Sequence, residues 1–271
     1  MISDSLNGVS VLVTRPRLQQ QLLSSFVENY GGVAANFPLI EIEPLTGAAV
    51  LEPLKCKLTS LNNYHRLIFV STNAVEYGAK LINEFWPQLP ESIEVIAIGP
   101  STARMASAEL ACKVFHSKTG SSSADVLLLP QLVNVKDLKI AIVRGVGGLE
   151  LLANTLKDRG AEVDYLEVYR RFPTHQSAED LFKIIRDLDV NVFSITSGES
   201  LEKLNELLLE NNEPEIYFRN IPVVVPSDRL FCMAERFGFK TVKLAKGADA
   251  ESTIIALQEL AIEADKIDSG R

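Results

Sequence analysis

The 271-residue sequence predicts an α/β fold of two similar domains, each a parallel sheet flanked by helices. Three observations carry this expectation: a repeat runs through the chain, near-continuous apolar runs of strand length recur, and segments of helical periodicity separate them. Parallel neighbours need a helical crossover, and the helix covers a sheet face. Strands of such sheets are therefore apolar on both sides.

The repeat opens with VLVTRPRLQQQLLSSFVENYGG, which aligns without a gap on IAIVRGVGGLELLANTLKDRGA at a constant offset of 129 residues, pairing Arg15 with Arg144, Leu23 with Leu152 and Gly31 with Gly160. Phe69 and Thr72 of LIFVSTNAV then correspond to Phe193 and Thr196 of VFSITSGES. Pro100 and Ser101 of IAIGPSTARMA correspond to Pro226 and Ser227 of VVVPSDRLFCMA, and ADVLLLPQL matches STIIALQEL. The order is the same in both halves, which describes a duplicated module of four strand-helix units.

The elements follow in order. VSVLVT, RLIFVS, VIAIG, KIAIV, VNVFSI and IPVVV read as strands buried on both faces. After Pro16, Leu22, Leu23, Phe26 and Val27 recur at helical spacing until Gly31 and Gly32 stop the helix. Leu151, Leu152 and Leu156 repeat the pattern before Gly160. Two segments depart from the rhythm. FPLIEIEP alternates apolar with acidic residues between prolines, and YLEVYRRFP alternates apolar with basic ones before a proline. They are expected to be extended linkers, 37–44 and 165–173, that pair as strands with Glu41 and Glu43 facing Arg170 and Arg171. Solvated charges on two separate surface strands are the plainer alternative.

Composition removes several function classes. A net charge of −8 without a basic run argues against nucleic-acid binding, which depends on clustered Lys and Arg. No apolar stretch approaches the roughly 20 residues of a membrane-spanning helix. Cys56, Cys112 and Cys232 are odd in number, widely spaced and free of any C-x-x-C, and the start of the chain lacks a signal-peptide pattern. A reducing, cytoplasmic location is expected. His65, His116 and His175 show no metal-ligand spacing, so no metal and no cofactor is expected. G-x-S-x-G and the full G-x-G-x-x-G are both absent.

The motifs VLVTRP, FPLIEI, AIGPSTA, RGVGGLELLANTLKDRGAEVDYLEVYRR, TSGESL and VPSDRL, in this order and spacing, resemble the bacterial form of the uroporphyrinogen-III synthase family. The resemblance runs from about Val9 to about Leu260. Ser227 and Asp228 stand where many members have Ser-Glu or Thr-Thr. The resemblance implies a discontinuous domain of residues 1–36 and 174–271, an inserted domain of 45–164, and a cleft between them for the ligand. It also implies the activity: closure of hydroxymethylbilane, a linear tetrapyrrole, into uroporphyrinogen III with loss of water and inversion of the last ring. The substrate is then the partner, with a transient encounter with the upstream hydroxymethylbilane synthase allowed and a monomer expected. A two-domain solute- or tetrapyrrole-binding protein without catalysis is the alternative, since fold alone does not decide function.

A substrate with acetate and propionate arms needs many anion hosts, and a strand-to-helix turn offers free backbone N–H groups at the positive end of a helix. Ser71, Thr72 and Asn73 open one helix, and Ser101 and Thr102 the next. Thr196, Ser197 and Gly198, then Ser227, repeat them in the other half. Arg15 ends the first strand, while Arg144, Gly145, Gly147 and Gly148 add a guanidinium and a loop that permits close approach. An ordinary N-cap accounts for any one of the hydroxyls alone, and both arginines can instead pair with carboxylates of the protein. For the acid that helps the hydroxyl depart, the resemblance implies Tyr169; a packed linker tyrosine is its bland alternative.

Overall fold

The computed structural model describes residues 5–118, 120, 122–148, 150–210 and 215–269. The chain divides into two compact units, Met1–Glu41 with Phe172–Arg271, and Ile42–Arg171. The first opens with β1 (Ser10–Val13), α1 (Arg17–Asn29) and β2 (Val33–Asn36), and the chain leaves it along β3 (Ile40–Pro44). The second contains α2 (Ala48–Thr59), a 3-10 turn at Leu61–Asn63, β4 (Arg66–Phe69), α3 (Thr72–Phe85), β5 (Glu94–Ala97) and α4 (Pro100–Leu110). It continues through β6 (Val114–His116), α5 (Ser123–Val126), α6 (Pro130–Val133), β7 (Lys139–Gly145) and α7 (Leu151–Asp158). The chain returns along β8 (Glu162–Pro173) to α8 (Ala178–Asp187), β9 (Val192–Ser194), α9 (Gly198–Leu209) and α10 (Glu215–Arg219). It ends with β10 (Val223–Val225), α11 (Asp228–Arg236), β11 (Val242–Leu244) and α12 (Ala250–Ser269).

The two sheets have one topology. Their orders are β2-β1-β9-β10-β11 and β8-β7-β4-β5-β6, with β3 added outside β8. Each of the eight neighbouring pairs in these two orders is parallel. The duplication read from sequence is therefore a duplication of architecture, with β1 and β7 as equivalent strands. Gly31 and Gly160 confirm it at atomic detail, since both follow their helix with φ of 85° and 88°, the left-handed stop that a Cβ would oppose.

Alternation along the strands sorts the core into faces. Leu12 points to the side covered by α8, α9 and α11, while Val11 and Val13 point to the side covered by α1 and α12. In the second unit Leu67 and Phe69 join Ala141 and Val143 under α3. Ile68, Ile96, Ile140 and Ile142 line the opposite face under α7. Phe69 and Phe193 are fully buried, each stabilising its unit by roughly 2 to 3 kcal/mol.

One part of the helical expectation is corrected. Leu23 and Val27 of α1 are buried, but Leu22 is 60% exposed, and its repeat partner Leu151 in α7 is 53% exposed. On α1 the buried stripe runs through Gln20, Leu23, Ser24 and Val27, and the step of about 100° per residue turns Leu22 out of it.

β3 and β8 pair as expected of the two linker segments. Leu45 N–H donates to the Val168 carbonyl (3.2 Å) and Thr174 N–H to the Leu39 carbonyl (3.0 Å), so partner numbers fall as chain numbers rise and the pair is antiparallel. Glu43 meets Arg170 at 3.2 Å. Glu41 bonds Arg17 of α1 at 2.7 Å.

Candidate functional site

In a parallel sheet every strand ends on the same edge, and each helix that follows begins there. β4 ends at Phe69, and Ser71 is the N-cap of α3, its Oγ accepting from Ala74 N–H at 3.0 Å. Thr72 and Asn73 occupy the first turn, half-buried. β5 leads to α4 through Gly99 and Pro100, with no side-chain cap. Ser101 there is exposed and Thr102 buried, at 5%. No N-cap side chain meets the N–H groups of that first turn, and Ala103 N–H donates to the Gly99 carbonyl at 2.9 Å.

The first unit carries the matching turns. Ser197 caps α9 by accepting from Ser200 N–H (3.1 Å), with half-buried Thr196 just before it, and Ser227 caps α11 through Leu230 N–H at 3.5 Å. Sequence pairing had equated Ser101 with Ser227. In the structure Ser227 is a cap whereas Ser101 is the second residue of its helix, because α4 starts at Pro100, two residues earlier in the motif than α11 does.

Tyr169 lies in β8, 4% exposed, opposite Gly145 in the register. The ladder shifts between Arg144 and Gly145, which aims the tyrosine ring across the glycine. A Cβ on Gly145 would come within 2.5 Å of that ring. Tyr77 of α3 contacts the same ring at 5.7 Å between centroids, and the Tyr169 hydroxyl is 3.2 Å from Ser71 Oγ. Phenol, N-cap serine and glycine thus come from β8, the β4–α3 turn and β7, which the order β8-β7-β4 makes neighbours.

Arg144, 5% exposed, is held from within its own unit. Its Nη1 meets Glu150 Oε1 at 3.1 Å, its Nε donates to the Gly145 carbonyl, and its guanidinium lies 4.5 Å from the Tyr165 ring centroid. Tyr165 donates to the other oxygen of Glu150. That bond, with Arg144 nearby, holds the Glu150 carboxyl below its usual range. Burial and the same bond push the Tyr165 phenol up to about 12. Gly147 and Gly148 have φ of 73° and 104°, and a Cβ at Gly148 would come within 2.8 Å of Arg144 Nη2. Positive φ favours glycine at both positions, and Gly148 also lies against the guanidinium.

Arg15, at the equivalent place in the first unit, donates through Nη2 to Thr253 Oγ1 at 3.3 Å, and its buried Nε has no hydrogen-bond partner. Burial pushes the guanidinium below its ordinary value, against the pull of Asp249 at the start of α12. The sequence reading missed Arg229, whose Nη1 would lie 3.2 Å from a Cβ on Gly198 at the start of α9. Nothing local in DRLF signals that approach. It missed Glu150 too, six residues after Arg144 and legible as a helix-turn partner. Among the described residues no cluster of His, Cys, Asp or Glu could hold a metal, and no helix is long and apolar enough to cross a membrane.

Fold and site together define a duplicated α/β protein whose hydroxyl, amide and guanidinium groups gather at the carboxyl ends of parallel strands, where open α/β sheets bind ligands. Residues 21–255 match the family model described as uroporphyrinogen-III synthase HemD. The chain is 32% identical over 253 residues to the uroporphyrinogen-III synthase of Escherichia coli (strain K12), covering 92% of this chain and all of that one. It is 30% identical over 250 residues to that of Salmonella typhimurium, with the same coverage. Among solved structures, a mutant uroporphyrinogen III synthase from Thermus thermophilus superposes with a TM-score of 0.61 over 94% of this chain and 99% of that one, at 17% identity. The Helicobacter pylori protein gives 0.55 over the same shares at 14%. These two speak to the fold. The chain belongs to the uroporphyrinogen-III synthase family, and it is an enzyme of tetrapyrrole biosynthesis, a lyase.

Proposed function

We propose that the chain closes hydroxymethylbilane into uroporphyrinogen III, with Tyr169 as the proton donor and the strand-to-helix turns of both units as hosts for the substrate's carboxylates. The observation that carries the reading is a buried phenol at 3.2 Å from the N-cap of α3, set among helix starts whose N–H groups suit anions. A pyrrole nitrogen can expel the hydroxyl of the bilane as water once that oxygen receives a proton, a step such a phenol serves. The carbon so activated must then meet the substituted carbon of the terminal ring, pass through a spiro intermediate, and recombine with that ring inverted. Holding the bilane in the folded shape that brings those carbons together is the larger task.

Backbone donors of the turn at Ser71, with hydroxyls and backbone donors at Thr72, Asn73, Ser101, Thr102, Thr196, Ser197, Gly198 and Ser227, would meet carboxylate arms, while the Ser71 hydroxyl faces Tyr169. At Arg144 a substrate carboxylate would compete with Glu150, and at Arg15 it would supply the acceptor that the buried Nε lacks. The net charge of −8 does not oppose this, because charges beyond about 8 to 10 Å are screened while donors act at contact.

The test uses the uncatalysed reaction as its reference. Hydroxymethylbilane closes by itself at the unsubstituted carbon to the symmetric isomer I. The purified chain, without added metal or organic cofactor, should yield mostly isomer III, resolved by chromatography of the oxidised porphyrins. Tight binding with mostly isomer I at saturating protein would overturn the reading in favour of a binding protein. The same reading takes the chain as a cytoplasmic monomer that meets hydroxymethylbilane synthase transiently. Sedimentation of the chain alone and mixed with that enzyme should show one subunit and no lasting complex.

A further inference from the structure

We propose that Ser71 is the positioning residue of the proton-donating phenol, acting on the bilane through Tyr169; this rests on the reading of Tyr169 as the acid. Ser71 Oγ already accepts from Ala74 N–H at 3.0 Å, so its own O–H is left to donate, and the Tyr169 hydroxyl stands 3.2 Å away. The walls of the phenol are set otherwise. Gly145 lets the ring lie against β7, and Tyr77 flanks it at 5.7 Å between centroids. Those contacts fix the ring plane, but a phenolic O–H still turns about its C–O bond. A hydroxyl beside the oxygen chooses the direction.

The proton balance gives Ser71 its chemical role. Tyr169 O–H transfers its proton to the hydroxymethyl oxygen, and the C–O bond breaks with its electrons on oxygen, releasing water. The pyrrole nitrogen lone pair fills the carbon left behind, so the bilane becomes cationic as the tyrosine becomes a phenolate. Ser71 O–H then donates to that phenolate, which also faces the positive end of α3. When the new macrocycle loses a ring proton to regain its aromatic pyrroles, the phenolate takes it back. No oxidant, reductant or further reactant enters.

A plain N-cap would require an acceptor alone, and glycine replaces serine there at little cost. Ser71→Gly therefore separates the two roles. Hydrogen bonds to a charged group correspond to roughly tenfold or more in an equilibrium or rate. Ser71→Gly should accordingly lower kcat about tenfold with KM within about twofold, while Ser71→Thr restores most of it. In a Tyr169→Phe background the same Ser71→Gly change should cost less than about twofold. Thermal unfolding of each variant checks that the fold is kept. If Ser71→Gly costs the same factor in both backgrounds, or raises KM at unchanged kcat, the positioning role is overturned while the acid reading of Tyr169 survives. A fully active Tyr169→Phe beside an impaired Ser71→Gly would overturn the acid reading, and the positioning role with it.

Discussion

The ring of Tyr169 lies across Gly145 so closely that a β-carbon on the glycine would come within 2.5 Å of it. The backbone of Gly145 is not the issue, since a side chain there is excluded by the ring alone. Gly145→Ala should displace the phenol from Ser71 and lower kcat at least about tenfold, with a stability loss of about 1 to 3 kcal/mol from overpacking. Steady-state rates with hydroxymethylbilane and a thermal melt measure both. Unchanged kcat would mean the ring position does not govern the chemistry.

A second glycine sets a helix against its sheet. Gly78 of α3 sits over Val143 of β7, and an added Cβ would come to 2.6 Å from Val143 Cγ1 and 3.4 Å from Phe69. Alanine would gain roughly 1 kcal/mol of helix propensity, yet the branched valine is stiff and cannot turn away. Gly78→Ala should be destabilising by about 1 kcal/mol net. Pairing it with Val143→Ala should recover part of that loss. Denaturant titration of the three variants decides, and a stabilised Gly78→Ala would show that α3 can lift off freely.

The start of α8 carries a pH signature. Ser177 and Asp180 form a reciprocal cap, and hydrogen bonds from the Ser177 hydroxyl and N–H hold the Asp180 carboxyl below its usual range. A carboxyl depressed in the folded state stabilises above its unfolded pKa, near 4, and that contribution is lost as pH falls through the lower folded value. The melting temperature of the wild type should thus exceed that of Asp180→Asn at pH 7, and the gap should close as pH drops below about 4. A gap independent of pH would assign the effect to something other than the charge.

Substrate contacts should read out in affinity. Arg229, exposed beside Gly198 at the start of α9, is placed to meet a carboxylate arriving at that turn. Arg229→Ala should raise KM by about three- to tenfold at nearly constant kcat, as loss of one exposed charge-assisted bond implies. The double variant Thr102→Ala with Ser227→Ala should also raise KM, with the backbone donors limiting the loss. A fall in kcat at constant KM for Arg229→Ala would instead place that guanidinium in the reacting geometry.

Much of this architecture was legible from one chain. The buried runs around Leu12, Ile68 and Ile142, the stops at Gly31 and Gly160, and the constant offset between repeats follow from local physics, namely which residues tolerate burial and which reach positive φ. The strand-to-helix turns at Ser71, Ser101, Ser197 and Ser227 were legible for the same reason. Helical facing was not legible at the margin. Leu22 and Leu151 look like core in a sequence window and lie at the surface, because a neighbour's coverage decides where a stripe ends.

What only the tertiary structure decided is who meets whom. Tyr169 finds Ser71 and Gly145 because strand order places β8, β7 and β4 side by side, and a one-residue shift in the ladder at Arg144 and Gly145 turns the ring inward. Arg17 at the start of α1 reaches Glu41 on β3. Periodicity and propensity are properties of neighbours along the chain, whereas these pairings depend on contacts between distant segments. Sequence by itself determined the elements and the edge of the sheet where chemistry could gather; the packing of the sheet decided which phenol, hydroxyl and glycine share it.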